Sequence, residues 1–335
     1  MKEFLIKVFS GTSLTSDEAE SVMDLMMGGI AKPEEIAGYL GAIAARGESV
    51  NEIVGSVRSM RRHSRPFAVK RTDLMDVCGT GGDGSHTFNV STTNAFLLAA
   101  AGLGVVKHGN RAISSACGSA DVIEAMGLAI DASDENVASS VDTCGFGFLF
   151  APKFHPSMQH VGPTRRTLGV RTLFNLLGPL ANPASVRRQV IGVFAQKWLL
   201  PLAEAVRILG AEEALIVWGE DCLDEISLSG PTQAIHLKNG LLVPLTLTPE
   251  DFGVERAPVS ELRGGDAKTN AKIIESILSG EETGPRRDIV IINAGAALRV
   301  AGLVSSWIEG ANLARELLQQ GVGGRLLAKI RAIHV

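Results

Sequence analysis

Apolar residues recur at helical spacing through roughly the first sixty positions. In "KPEEIAGYLGAIAARG", Ile36, Tyr39, Leu40 and Ile43 fall on one stripe, and Pro33 suits the first turn of a helix. Thr15 with Glu18, and Ser49 with Glu52, each match the capping box that satisfies unpaired N–H groups at a helix start. Residues 1 to about 66 therefore read as helices, and "RRHSRPF" as a linker. From residue 73 the period changes. Short apolar runs alternate with helical stretches, the signature of a mainly parallel sheet. Residues 74–78, 104–107, 146–150, 189–194, 214–218 and 288–293 read as strands. In "AIHLKNGLLVPL", Asn239-Gly240 between two apolar runs predicts a type I′ hairpin and hence an antiparallel edge. The tail from "SSWIEGANLARELLQQG" onward reads as amphipathic helices.

Between the third and fourth predicted strands lies "MQHVGPTRRTLGVRTLFNLLGPLANP", helical, basic and closed by prolines. Its likeness to the N-terminal helices places it with them. The expected fold class is α/β: a mainly parallel central sheet flanked by helices, plus a smaller, discontinuous all-helical domain. The helical domain takes residues 1–70, joined by about 160–186; the α/β domain takes 71–159 and 187–335. A chain of 335 residues is long enough for both. The net charge of −4 argues against a dedicated nucleic-acid binder. No apolar run is long enough to span a bilayer, and Lys2, Glu3 and Lys7 interrupt any signal-peptide core. Cys78, Cys117, Cys144 and Cys222 form no C-x-x-C pair, so neither a zinc site nor a disulfide framework is indicated. They read as small buried hydrophobes in a reducing cytoplasm.

Four stretches carry chemistry. "LMDVCGTGGDGSHTFNVSTTNAFLLAAAG" runs from an apolar strand through a glycine turn into a helix. Gly79, Gly81 and Gly84 satisfy G-x-G-x-x-G, but the expected carboxylate about twenty residues on is absent, and Asp83 sits badly against a bare pyrophosphate. No Gly-Lys-Ser/Thr follows, which excludes a Walker A loop. What remains is a set of backbone N–H groups at a helix N-terminus, suited to an anion. "VVKHGNRAISSACGSADVIEAMG" repeats the strand, turn and helix layout, with Lys107, His108, Asn110 and Arg111 after the strand and a helix starting near Ser119. Two such turns beyond neighbouring strands would line one anion pocket. "GEDCLDEISLSGPT" carries Asp221, Asp224 and Glu225. Adjacent carboxylates suit a shared cation, and magnesium is commonly held by one or two carboxylates together with substrate phosphates. Arg165 and Arg166, in "GPTRRTLGVRT", could pair bidentately with a carboxylate substrate across an interdomain cleft.

Together, "GTGGDGSHTFNVST", "KHGNRAISSACGSADVIEAMG", "FLFAPKFHPSMQHVGPTRRTLGVRTLFNLLGPLANPA" and "DCLDEIS" resemble the anthranilate phosphoribosyltransferases over nearly the whole chain. The resemblance implies the nucleoside phosphorylase/phosphoribosyltransferase type of fold and a step of tryptophan biosynthesis. In that step phosphoribosyl pyrophosphate and anthranilate give N-(5-phosphoribosyl)anthranilate and pyrophosphate. It further implies a homodimer joined through the helical domain. Gly79, Gly82, Asp83, Thr87, Asn89, Val90, Ser91 and Thr92 would then contact phosphoribosyl pyrophosphate. Lys107, His108, Gly109, Asn110, Arg111, Ala112, Ile113, Ser114, Ser115 and Ser119 would close over it. Ser91, Asp224 and Glu225 would hold magnesium, as two ions; Gly79, His108, Asn110 and Arg165 would meet anthranilate. No covalent nucleophile is implied. At Ala116 the chain departs from the family pattern, where a basic or larger polar residue is frequent. Two alternatives stay open: a nucleoside phosphorylase of the same architecture, and a non-catalytic relative that binds a ligand or nucleic acid.

Overall fold

The computed structural model describes residues 1–112 and 116–333. Four helices come first: α1 (Lys2–Phe9), α2 (Ser16–Met27), α3 (Pro33–Arg46) and α4 (Val50–Arg62). Both predicted capping boxes form, at Thr15 with Glu18 and at Ser49 with Glu52. Ile36, Tyr39, Leu40 and Ile43 are all buried. Their stripe shares one apolar cluster with Val22, Met26, Ile53 and Val57, and with Val161, Leu173, Phe174 and Leu177 from much further along the chain. The same cluster continues beneath the sheet through Ile191, Leu202 and Ile216, so no polar layer separates the helical lobe from the α/β part.

The sheet has seven strands among the described residues: β1 (Leu74–Gly79), β2 (Gly104–Gly109), β3 (Phe146–Phe150), β4 (Arg188–Gly192), β5 (Glu213–Gly219), β6 (Thr232–Lys238) and β7 (Leu241–Leu247). Their order is β3-β2-β1-β4-β5-β6-β7, with β1 to β5 parallel and the last two antiparallel. Asn239 and Gly240 join β6 to β7, both at positive φ (52° and 76°), as a type I′ turn requires. Successive residues alternate between faces. Val190, Leu215 and Val217 belong to the core on one side, and Ile191, Ala214 and Ile216 to the core on the other.

From β1 the chain passes through α5 (Val90–Ala100) to β2, and through α6 (Ser119–Ala125) and α7 (Asp134–Cys144) to β3. It then crosses back to lay β4 on the other flank of β1. The β1/β4 boundary is thus the point where strand order reverses, the place where open α/β sheets bind ligands beyond their carboxyl ends. The return passes through α8 (Ala151–Phe154), α9 (Gly162–Leu168) and α10 (Phe174–Leu177). The remaining helices are α11 (Leu199–Ile208), α12 (Ala267–Ser279), α13 (Pro285–Val300), α14 (Trp307–Gln319) and α15 (Val322–Ile333).

One sequence expectation is overturned. Residues 288–293 form no strand; they lie inside α13. Ile289, Val290, Ile291 and Ile292 are all fully buried. A helix covered on every side has no polar face, so a short apolar run within it cannot be told from a buried strand by period.

Candidate active site

The glycine turn after β1 is folded onto the loop after β5. Gly81 N–H donates to Asp224 Oδ2 at 2.7 Å. A Cβ on Gly79 would lie 2.1 Å from Asp224 Oδ2, and one on Gly192 only 1.6 Å from the Asp224 carbonyl oxygen. Real Cβ atoms do not come that close, so glycine at both strand ends is what admits the acidic loop. The turn is pinned further by Thr80, whose N–H donates to the Gly192 carbonyl (2.9 Å) and whose Oγ1 accepts from Phe194 N–H (3.0 Å). Gly82 sits at φ +75°, and its carbonyl accepts a hydrogen bond from Arg171. Asp83 accepts from Ser85 Oγ (2.6 Å), and Thr87 forms an isolated antiparallel bridge with Arg263.

Asp224 and Glu225 are half-buried. Burial first, and then repulsion from Asp83, pushes the Asp224 carboxyl above its ordinary range. Glu225 is pushed up by burial and by Asp224, against the pull of Lys107 and of the Ser91 backbone N–H. Lys107 is buried. Its ammonium donates to the Val77 carbonyl (2.7 Å) and to Ser91 Oγ (3.2 Å), two of its three possible donors among the described residues. Ser91 is therefore the residue on which Lys107 and Glu225 converge, at the N-terminus of α5. Asn89 precedes that helix; its Nδ2 donates to the Cys117 carbonyl (3.3 Å) and its Oδ1 accepts from Asn270 (2.9 Å). Val90 and Thr92 are buried, and Thr92 Oγ1 has no partner among the described residues.

At the carboxyl end of β2, His108 Nδ1 lies 3.2 Å from the Gly178 carbonyl, while its Nε2 has no partner among the described residues. Burial and the neighbouring His155 ring, 5.0 Å away, lower the imidazole pKa to about 3. Gly109 leaves room for Ser119 Oγ, which a Cβ would meet at 2.2 Å. The Asn110 carbonyl accepts from Ala120 N–H (3.1 Å) and Ser119 Oγ (3.4 Å), tying the loop to the start of α6. Arg111 turns toward that same helix. It bonds Asp121 (3.0 Å) and Glu124 (2.9 Å), so carboxylates already balance its charge. Ala112 N–H donates to Asp121 Oδ2 (2.9 Å). Ile113, Ser114 and Ser115 lie outside the described residues. Arg165, on α9, packs its guanidinium 4.7 Å over the Phe174 ring, and burial lowers its pKa. Phe174 begins the short helix α10 and Gly178 caps its end, so one segment touches both Arg165 and His108.

Gly79, Ser91, Lys107, Asp224 and Glu225 thus lie together around the carboxyl ends of β1, β2 and β5, while Arg165 sits on α9 and Arg111 turns toward α6. Sequence reasoning missed a supporting layer. Asp76 is fully buried on β1 and accepts from Asn182 (2.9 Å) and from His108 N–H (3.4 Å); Asn270 braces Asn89, and Arg171 reaches Gly82. No period or spacing announces these contacts. No group of three or more His, Cys, Asp or Glu able to hold a metal occurs among the described residues. A divalent ion here would need substrate oxygens to complete its shell, as magnesium beside phosphates ordinarily does.

A helical bundle on a mostly parallel sheet, with glycine-containing turns at its switch point, is the architecture of a glycosyl transferase family. Residues 71–323 match the α/β domain of the glycosyl transferase family, and residues 2–64 match its helical bundle domain. Within that class, the chain belongs to the anthranilate phosphoribosyltransferase family. It is 48% identical to the anthranilate phosphoribosyltransferase of Symbiobacterium thermophilum, over 99% of this chain and 97% of that one. The crystal structure of the Thermus thermophilus anthranilate phosphoribosyltransferase superimposes with a TM-score of 0.94 at 46% identity, covering 98% of both chains. The Saccharomyces cerevisiae enzyme, in complex with phosphoribosyl pyrophosphate and magnesium, superimposes with a TM-score of 0.91 at 29% identity, over 99% of this chain and 96% of that one.

Proposed function

We propose that this chain transfers the phosphoribosyl group of phosphoribosyl pyrophosphate to the amine of anthranilate, releasing pyrophosphate, in tryptophan biosynthesis. The observation that carries the reading is the seating of the Gly79–Gly81 turn against Asp224, with Glu225 next to it and Lys107 bonded to Ser91.

In this reading the amides of Gly82 and Asp83, the segment Asn89 to Thr92 at the α5 N-terminus, and Thr87 bind the donor's phosphates. Lys107 adds a full positive charge beneath them. Asp224 and Glu225, with Ser91, hold magnesium, as two ions. The fit rests on the carboxylates themselves: burial and mutual repulsion oppose their ionisation, and a cation between them removes that cost. When bound, magnesium neutralises charge on the leaving diphosphate. Asn110 to Ser115, with Ser119 at the start of α6, close over the donor. Arg165, Asn110 and Gly79 orient anthranilate, whose neutral amine needs no strong base. His108, held neutral by burial, stands close to the acceptor without adding charge. Catalysis then comes from positioning the amine and stabilising charge that develops on the leaving group. No covalent nucleophile takes part.

Ile6 and Phe9 on α1, 63% and 65% exposed, support a homodimer through the helical lobe. Among the described residues no helix is long and apolar enough to cross a membrane, in keeping with a cytoplasmic enzyme.

The test follows anthranilate fluorescence with phosphoribosyl pyrophosphate and magnesium supplied and withheld in turn. Consumption should require both. Asp224→Ala with Glu225→Ala should lower turnover at least a thousandfold while far-UV circular dichroism stays unchanged. Turnover of wild-type size in that double variant, or turnover driven by free phosphate and a nucleoside, overturns the reading.

A further inference from the structure

Arg171 lies in the link between α9 and α10, in the part of the chain that shares its core with the N-terminal helices. It is exposed, and among the described residues no Asp or Glu forms an ion pair with it. Its guanidinium donates to the Gly82 carbonyl and lies 4.2 Å over the Phe194 ring. A Cβ on Gly82 would sit 3.4 Å from Arg171 Nη2. Phe194 follows β4, and its own N–H donates to Thr80 Oγ1 (3.0 Å). One aromatic residue therefore supports the arginine on its face and grips the glycine turn through its backbone.

An exposed arginine loses side-chain entropy when held in one place. Here the flat guanidinium is fixed by a ring beneath it and a carbonyl ahead of it, a geometry lysine cannot reproduce. The bond has a consequence for the turn. A trans peptide is planar, so holding the Gly82 carbonyl toward Arg171 turns the Asp83 N–H the opposite way. Gly82 is at positive φ, where a glycine peptide can flip at little steric cost. Its direction must therefore be set from outside.

We propose that Arg171 is a positioning residue for the donor's diphosphate: reaching from the helical segment, it fixes the Gly82–Asp83 peptide so that the turn presents its amides correctly. The role rests on the phosphoribosyl transfer proposed above.

The experiment measures initial rates for wild type, Arg171→Ala, Arg171→Lys and Phe194→Leu. Thermal shift with magnesium and phosphoribosyl pyrophosphate provides a readout that needs no turnover. In Arg171→Ala, KM for phosphoribosyl pyrophosphate should rise about tenfold or more, while kcat and KM for anthranilate stay within about threefold. The thermal shift should shrink in step. Arg171→Lys, which keeps charge and a donor but loses the flat stack, should fall between, and Phe194→Leu should resemble it. A donor KM within twofold of wild type in Arg171→Ala overturns the clamp, as does a parallel change in all three constants. Should Arg171→Ala not fold, a wild-type donor KM in Arg171→Lys and Phe194→Leu overturns it equally. Wild-type chain that consumes no anthranilate would instead refute the proposed function, so the two failures are distinct.

Discussion

The turns after β1 and β2 look alike in sequence, each a strand, a polar glycine-containing stretch and a helix, yet they are held in opposite ways. The first is gripped from afar: by Asp224 beyond β5, by Gly192 at the end of β4 and Phe194 just after it, by Arg171 from the helical segment, and by Asn270 from α12. The second is held mostly by its own helix, through Asp121 and Glu124 on α6. A turn fixed by several distant elements is pre-formed before any ligand arrives. The described residues of the second turn depend instead on the helix it leads into. The contrast fits the roles proposed above, a standing phosphate cradle for the first and a cover for the second.

The sharpest break of this contrast is Gly192→Ala. The new methyl would lie 1.6 Å from the Asp224 carbonyl oxygen and 2.3 Å from the Asp224 carbonyl carbon, so backbone must move. Overpacking costs about 3 kcal/mol at its upper range, and displacing the acidic loop should lower kcat/KM at least a hundredfold. The same change at Gly118 puts its methyl 2.4 Å from the Ala112 nitrogen, but there the neighbour belongs to the locally held loop. Its stability cost should be nearer 1 kcal/mol, at the lower end of that range. Urea unfolding of the two variants measures the difference. Equal costs would mean the two turns are equally rigid.

Local chemistry was readable in the sequence and tertiary chemistry was not. The capping boxes, the Asn239-Gly240 turn and the helix start at Ser119 each follow from residues within four positions of one another. Lys107, Asp224 and Glu225 were legible because charged groups beside strand ends are costly to keep unpaired, Gly79 because of its glycine pattern, and Ser91 only through the family resemblance. Arg171 and Gly82 are 89 residues apart, Asp76 and Asn182 are 106, and Asn89 and Asn270 are 181. Nothing in one member of such a pair names the other. Helix α13 was misread for another reason: burial on all sides erases the periodic contrast that tells helix from strand.

The second way to probe the contrast is pH, because the root of the β2 loop rests on a neutral imidazole. His108 has a folded-state pKa of about 3 against an ordinary 6.5. A depressed pKa gives stability that is fully present above 6.5 and is lost as pH falls toward 3, since the unfolded chain binds a proton that the folded one refuses. At pH 5 the loss from this ring is about 2 kcal/mol, from 1.5 units at 1.36 kcal/mol each. Wild type should therefore lose about that much more unfolding free energy between pH 8 and pH 5 than His108→Gln does. Equal losses in the two proteins would show that the ring is solvated, and that the second loop lacks even this fixed footing.

The smallest effect should come from Asp121→Ala, and it bears on the contrast most directly. Asp121 accepts from Ala112 N–H and Gly118 N–H, both at 2.9 Å, and from Arg111 at 3.0 Å. It acts as a cap for the start of α6 and as the peg on which the loop folds back. Removing a capping acceptor typically costs about 1 kcal/mol, and the loop would then find its closed form less often. KM for phosphoribosyl pyrophosphate should rise severalfold while kcat falls less, because the first turn and its acidic partners stay in place. Asp121→Asn keeps an oxygen acceptor and caps about as well, so it should recover most of the loss. If Asp121→Ala leaves the donor KM unchanged, the substrate itself shapes the second loop, and local anchoring is not what separates the two turns.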